Sequence, residues 1–360
     1  MKISETESLK NHKKQRRNIK IIPIAAVLAA ILVLSVSAYG FIRSDFYKNA
    51  FGTGIEGSQG GLKSEYDADG NLIKTYDAPS VERIDVDPEL AEALIGDCVA
   101  NALRTQTLGE YTVKVGEYVF DENGIGMVSA VISHPQGHSK YNGEWYLNTD
   151  KAFSDYESFV YAGDKELKFP FLDYKSQVAK RDSTETDFHV IYYVCPMSEE
   201  QEKADIDYVF HVPSALAKDI TKDTMNSGGS SYSGDELYDS VTIRLCPDKR
   251  VAAEDFVCGD CRISVSPLGA KLPLGRIERT GEDGSVWYEA REPVSFVIKY
   301  ADGTEYIVND SEHVSNGVGT LDADNGVVRV AFNRLVDIGN IESISITAQD
   351  NTVYSFTADK

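Results

Sequence analysis

The chain has 360 residues, with 36 Lys and Arg against 57 Asp and Glu, a formal net charge of −21 and five cysteines. So acidic a body repels nucleic acid and anionic lipid and is soluble by self-repulsion, so no nucleic-acid partner is expected. The length suits two domains.

Residues 1–20 form a basic tail, with Lys2, Lys10, Lys13, Lys14, Arg16, Arg17 and Lys20 against Glu5 and Glu7. From Ile21 to Ile42 (IIPIAAVLAAILVLSVSAYGFI) there is no Asp, Glu, Lys, Arg or His. At about 1.5 Å per residue a helix of this length extends about 33 Å, enough for the ~30 Å hydrocarbon core of a bilayer. A helix also satisfies its own backbone groups there, and Pro23 falls in the first turn, where a missing N–H costs little. The pattern predicts a single transmembrane helix over 21–42, with the lipid bilayer as its partner. Beyond it only Arg43 and Lys48 appear, beside Asp45, so the positive-inside rule places the N-terminus in the cytoplasm and residues 43–360 outside. The competing reading is a signal peptide cleaved after Ala38, since Val36-Ser37-Ala38 has suitably small residues. The length of the apolar run and of the basic tail favours retention. The first cysteine is Cys98, so no lipid-anchor Cys follows the run.

Residues 43–84 read as a stalk or linker, interrupted by Gly52, Gly54, Gly57, Gly60 and Gly61. The acidic stretches Asp67–Gly70 and Asp322–Gly326 read as turns, because the twelfth loop position that a calcium loop fills with Glu is Ala78 or Asn333 here. Residues 85–250 are predicted to form a β-rich domain with one packed helix. Asp87-Pro88-Glu89 is a helix start; Leu90, Leu94, Cys98 and Ala102 then recur every four residues, with Ile95 and Val99 beside them, and predict a helix with one apolar face running to just before Gly109. From Tyr111 the period changes to two. Tyr111–Val115 and Ile125–Ile132 flank the turn Asp121–Gly124, and further strands are expected at 188–194, 208–212 and 241–245. Residues 135–187 are turn-rich, with Trp145–Leu147 and Phe169–Leu172 expected to pack. Pro213–Met225 reads as a short helix and Asn226–Gly234 as a flexible loop.

Residues 256–360 read as a second β unit, with strands at 262–265, 294–300, 304–308, 327–332, 341–346 and 353–356 and turns at Ala301-Asp302-Gly303 and Gln349-Asp350-Asn351. Short strands at close spacing argue for a β-sandwich. The expected fold is therefore mainly β, with one N-terminal transmembrane helix before two β-sandwich units.

Several short stretches carry a family likeness: Ser35–Tyr39 leading into Asp45-Phe46-Tyr47 and Phe51-Gly52, the hairpin at Asp121–Gly124, Ile263–Gly269, and Asn340–Ile344. Together they resemble Gram-positive, membrane-anchored proteins of a domain-of-unknown-function class, often encoded beside extracytoplasmic-function sigma factors and described as anti-sigma-like. The resemblance spans most of residues 30–360. It implies an immunoglobulin-like exterior on one transmembrane helix and brings no catalytic residues. The chain departs from the anti-sigma pattern in its cytoplasmic part: residues 1–20 leave no room for a zinc-binding helical domain, so direct capture of a sigma factor is not expected.

The candidate chemistry is sparse. Cys258-Gly259-Asp260-Cys261 has redox or zinc spacing, but it runs into a predicted strand rather than opening a helix. A four-thiolate zinc site needs a second such pair, and Cys195 and Cys246 are isolated, each before a proline. In an oxidising exterior, disulfides among Cys195, Cys246, Cys258 and Cys261 are the expected outcome, with at least one of the five cysteines left over. His134 and His138 lie on a Pro-Gly turn, and His189 and His211 on predicted strands; no metal ligand set is assigned to them. No G-x-S-x-G, S-x-x-K, P-loop or H-E-x-x-H motif occurs. No catalytic residue, cofactor or metal is expected. Two function classes stand: a non-catalytic envelope protein whose exterior binds a ligand or partner protein, and a secreted or surface hydrolase or plain secreted binding module released by cleavage.

Overall fold

The computed structural model describes residues 43, 45–52, 61–66, 72–79, 84–108, 111–135, 139–141, 144–146, 158–162, 172–178, 184, 186–203, 206–213, 238–281, 283–313 and 318–359. The run 21–42, His138 and the loop at 226–234 lie outside them, as does the helix expected at 213–225 beyond Pro213 itself. The chain divides into residues up to Phe46 and one unit from Tyr47 to Lys360, and it is mainly β. Within that unit the segment read as a stalk carries local structure. Residues 47–51 are helical, with Ala50 and Phe51 buried, and β1 (Gly61–Tyr66) pairs with β2 (Leu72–Ala78), while the acidic turn expected at Asp67–Gly70 lies outside the described residues.

Helix α1 (Pro88–Ile95) starts where expected. The Asp87 carboxylate accepts from Glu89 N at 2.9 Å and Leu90 N at 3.4 Å, satisfying otherwise orphaned donors. It ends at Ile95 rather than near Gly109, giving way to a 3-10 turn at Gly96–Cys98. Residues Ala100–Leu108 instead form β3 along the free edge of β4 (Tyr111–Phe120). The buried face is Ala91 and Ile95, with Val99 buried just beyond, while Leu90 is exposed, so the Ile95–Val99 side of the predicted face turns inward and its Leu90 end does not. The sheet's demand for an edge strand outweighs weak helix propensity in Asn101, Thr105 and Thr107.

β4 and β5 (Gly126–Ser133) form the hairpin read from Asp121–Gly124. The strands β6 (Ser139–Tyr141), β7 (Glu144–Tyr146), β8 (Ser158–Ala162), β9 (Leu172–Val178) and β10 (Asp187–Pro196) follow, then the short helix α2 (Glu199–Glu202), β11 (Ile206–Pro213) and β12 (Tyr238–Leu245). A five-stranded sheet runs β3-β4-β5-β10-β9, and β12-β11-β8 forms a second sheet. Ile243 and Leu245 of β12 join Tyr111, Val113, Val115, Val128, Ile132 and Tyr192 in one core, so the two sheets meet face to face. A bulge between Val115 and Tyr118 moves the inward parity of β4 from odd to even positions, which keeps both Val115 and Phe120 in that core.

Strands β13 (Glu254–Cys258), β14 (Cys261–Val265), β15 (Gly269–Leu272), β16 (Arg276–Thr280), β17 (Val286–Ala290), β18 (Pro293–Tyr300), β19 (Glu305–Asn309), β20 (Val318–Asp322), β21 (Val327–Ala331), β22 (Ile341–Ala348) and β23 (Val353–Ala358) make the C-terminal part. Nine of them form one sheet in the order β19-β18-β22-β23-β13-β14-β15-β21-β20. Its two ends share a core. Tyr306 of edge strand β19 stacks edge-on to Phe332, just after β21, at 5.8 Å between centroids, and its hydroxyl donates to Asn333 Oδ1 at 2.6 Å. The sheet therefore folds over on itself around Phe256, Phe296, Phe332, Ile344 and Phe356. The turns expected at 301–303 and 349–351 are present. Gly303 sits at φ 86° and Asn351 at φ 63°, the left-handed region that Gly and Asn tolerate best.

Candidate functional site

The most densely functionalised region of the described residues is the seam where the β4–β5 turn and α2 meet the nine-stranded sheet. Asp121, at the head of that turn, is fully buried. Its Oδ1 accepts from Ile125 N at 2.8 Å and its Oδ2 from Ser266 Oγ at 2.5 Å. Ser266 Oγ in turn accepts from Leu268 N and Gly269 N, holding the turn between β14 and β15. Burial pushes the Asp121 carboxyl up to about 7, against the hydrogen bonds from Ser266, Ile125 and Asn123 and the charge of Arg250, which all pull it down. The segment between β12 and the strand Glu254–Cys258 follows the same turn: Val251 N donates to Phe120 O at 2.9 Å and Glu122 N to Val251 O at 3.0 Å. Two glycines permit the approach. A Cβ on Gly124 would lie 2.7 Å from Glu202 Cα, and one on Gly269 would lie 2.4 Å from Val330 O and 2.8 Å from Ile125 Cδ1.

Beside it lies a cluster of charges. Lys271, Arg329 and Thr320 are register partners across β15, β21 and β20. The Arg329 side chain is fully buried; its Nε donates to Glu202 Oε1 at 2.8 Å and its Nη2 to the same oxygen. Lys271 Nζ bridges Glu202 Oε2 at 3.0 Å and Glu199 Oε1 at 3.1 Å, and this ion pair holds the Glu199 carboxyl below its ordinary value. Arg329 Nη1 makes no hydrogen bond and faces Asp322 Oδ2 at 3.9 Å. Thr320 Oγ1 donates to Pro196 O at 2.6 Å, tying the end of β10 to β20. Both oxygens of Asp121, Glu202 and Asp322 accept hydrogen bonds from protein groups. Chemically the arrangement is a clamp: it fixes α2 and the β4–β5 turn on the sheet in one register, because any other register leaves a buried charge uncompensated.

The residues singled out from sequence are elsewhere. Cys258 and Cys261 are register partners closing a two-residue turn with Gly259 at φ 59°. Cα atoms of such pairs lie about 4.5–5.5 Å apart, within the range a disulfide spans. Burial pushes the Cys261 thiol up, and neighbouring Cys258 adds to it. Cys195 is buried in β10, while Cys246 is exposed after β12. No disulfide is formed among the five cysteines in this structure. His134 is buried with its ring centroid 4.7 Å from that of Tyr111. His189 and His211 fall on β10 and β11, strands of different sheets. Among the described residues no group of three His, Cys, Asp or Glu side chains is placed to hold a metal. Sequence reasoning missed Arg329 and Glu202. The available signal was a lone Arg inside the apolar run Val327–Ala331, which marks a strand covered on both faces.

No family model matches the chain, and no curated protein does. A solved structure described as the crystal structure of the conserved domain protein from Bacillus anthracis aligns with 70% of this chain and 77% of its own. The TM-score is 0.34 and the identity 9%, a likeness too distant to carry an argument.

Proposed function

We propose that the chain is a single-pass membrane protein, N-terminus in the cytoplasm, whose exterior β body acts as a binding or regulatory module without turnover of its own. One observation carries the reading: the charge-free run Ile21–Ile42 stands between a basic tail and an acidic body. Among the described residues no helix is long and apolar enough to cross a membrane, and the run 21–42 lies outside them. The face-to-face sheets and the self-folded nine-stranded sheet support reading the exterior as two immunoglobulin-like β-sandwich units. A seam clamped by buried charges suits a body that presents a surface to an envelope ligand or partner protein. The resemblance to proteins encoded beside extracytoplasmic-function sigma factors gives the regulatory role its context.

Fusing alkaline phosphatase after Lys360 tests the topology. The expected outcome is an active enzyme that stays with the membrane fraction. An inactive fusion overturns the orientation. Activity released as a product beginning at Tyr39 shows signal-peptide cleavage, and favours the secreted binding module or hydrolase instead.

A further inference from the structure

Cys258 and Cys261 stand apart from the clamp. They are register partners across the two-residue turn that joins β13 to β14. Of the turn residues Gly259 and Asp260 only Gly259 has a positive φ, at 59°, the pattern of a type II′ turn. Phe256 and Ile263, two positions back along each strand, are buried, so both thiols lie on the inward face of the hairpin. They sit half-buried where that face runs out into solvent. Gly259 and Asp260 are exposed, and a Cβ on Gly259 would meet nothing within 4 Å. A small reagent has an open approach there.

The hydrogen-bond parity fixes what a bond between the two thiols would require. Asp359 N donates to Asp255 O at 3.0 Å, so the backbone of Asp255 faces β23 and the rung 255/264 is non-bonded within the hairpin. Bonded rungs alternate in an antiparallel ladder, so 256/263 and 258/261 are bonded and 257/262 is not. Opposed Cβ atoms at a bonded rung stand about 5.5 Å apart, whereas a disulfide brings them to about 3.8 Å. A disulfide closed at this rung stores strain and is correspondingly easy to reduce. The hairpin does not depend on such a bond. Its turn, its ladder and Arg262, which pairs with Asp255 at 2.7 Å and Asp359 at 2.8 Å, hold it in place. A ring closed so close along the chain also takes little freedom from the unfolded state.

We propose that Cys258 and Cys261 form a reversible dithiol–disulfide couple that exchanges with low-molecular-weight thiols, a stoichiometric redox site rather than a structural staple. In the disulfide form a small thiolate attacks one of the two sulfurs. The Cys258–Cys261 bond breaks, a mixed disulfide forms, and the expelled cysteine leaves as a thiolate and takes up a proton. A second small thiolate attacks the small-molecule sulfur of the mixed disulfide and frees the remaining cysteine, which is protonated in turn. Two small thiols are thereby oxidised to their disulfide, and the pair is reduced by two electrons to the dithiol. An excess of the small disulfide drives the same steps backwards. The device that commonly activates a Cys-x-x-Cys pair is a helix N-terminus that lowers a thiol's pKa. Cys261 opens a strand instead, and burial pushes its thiol up. The lability comes from strain in the oxidised form.

The test equilibrates the full chain in detergent with reduced and oxidised glutathione at set ratios, traps thiols by alkylation and reads residues 258–261 by mass mapping. The comparison chain carries Cys258→Ser and Cys261→Ser together with Val257→Cys and Arg262→Cys, which moves the pair to the neighbouring non-bonded rung, where Cβ atoms lie closer. The native pair is expected to pass between both forms, its disulfide about tenfold or more easier to reduce than the moved one. Reduced and oxidised wild-type chain are expected to melt at the same temperature. A native disulfide as hard to reduce as the moved one overturns the proposal, and so does a pair that stops at the glutathione adduct and never closes. A melting temperature that falls on reduction overturns it too, by making the bond a staple. That last comparison uses the wild-type chain alone, so it stands even if the moved pair disturbs the hairpin.

Discussion

Glu202→Ala removes the carboxylate that binds both Arg329 and Lys271, and it isolates the clamp's energetic contribution. The Arg329 side chain is fully buried, and Glu202 is the acceptor of two of its N–H groups. Without that acceptor the guanidinium faces only Asp322, at 3.9 Å. Stranding one member of a buried pair costs about 3–5 kcal/mol, whereas replacing both by apolar groups of similar volume is often neutral. Glu202→Ala is therefore expected to lower unfolding stability by about 3–5 kcal/mol, and the double variant Glu202→Leu with Arg329→Met by clearly less than Glu202→Ala. Urea unfolding of wild type, Glu202→Leu, Arg329→Met and the double variant, with unchanged slopes, closes the cycle and measures the coupling. A loss below about 1 kcal/mol for Glu202→Ala, or a double variant as costly as the summed singles, would refute the clamp.

Asp121 predicts a pH signature. In the folded chain its carboxyl keeps a proton to about pH 7, while the unfolded chain releases it near the ordinary 3.8. Its contribution to stability is thus fully present below about pH 4 and is lost as pH rises to about 7, about 4 kcal/mol in all. Urea titrations of wild type and Asp121→Asn between those limits should differ in slope in that sense, and parallel curves would count against it. Gly124→Ala, at φ 76° with Glu202 Cα 2.7 Å from the new Cβ, is expected to cost more than Gly303→Ala, at φ 86° with open space around it; thermal melts of the two compare strain plus clash with strain alone. Non-reducing mass mapping of protein from the cell surface should find Cys258 linked to Cys261, and thiols free at all five positions would remove the disulfide reading.

Much of the β architecture was legible in the sequence, because strand alternation, caps and turns are local. The period-two runs at 111–115, 188–194, 294–300 and 341–346 each fall on a strand, and Asp87, Asp121–Gly124 and Asn351 sit at the cap and turns their chemistry favours. What α1 does after Ile95 was not legible, since Ala100–Leu108 has no strong preference and the free edge of β4, distant in kind from any helix signal, decides it. The seam lay further out of reach. Asp121 and Ser266 are 145 positions apart and Glu202 and Arg329 127 apart, and no periodicity encodes such a pairing. Only once both sheets are folded are these groups stripped of water together, and it is that shared desolvation which makes a carboxylate, a hydroxyl and a guanidinium dependent on one another.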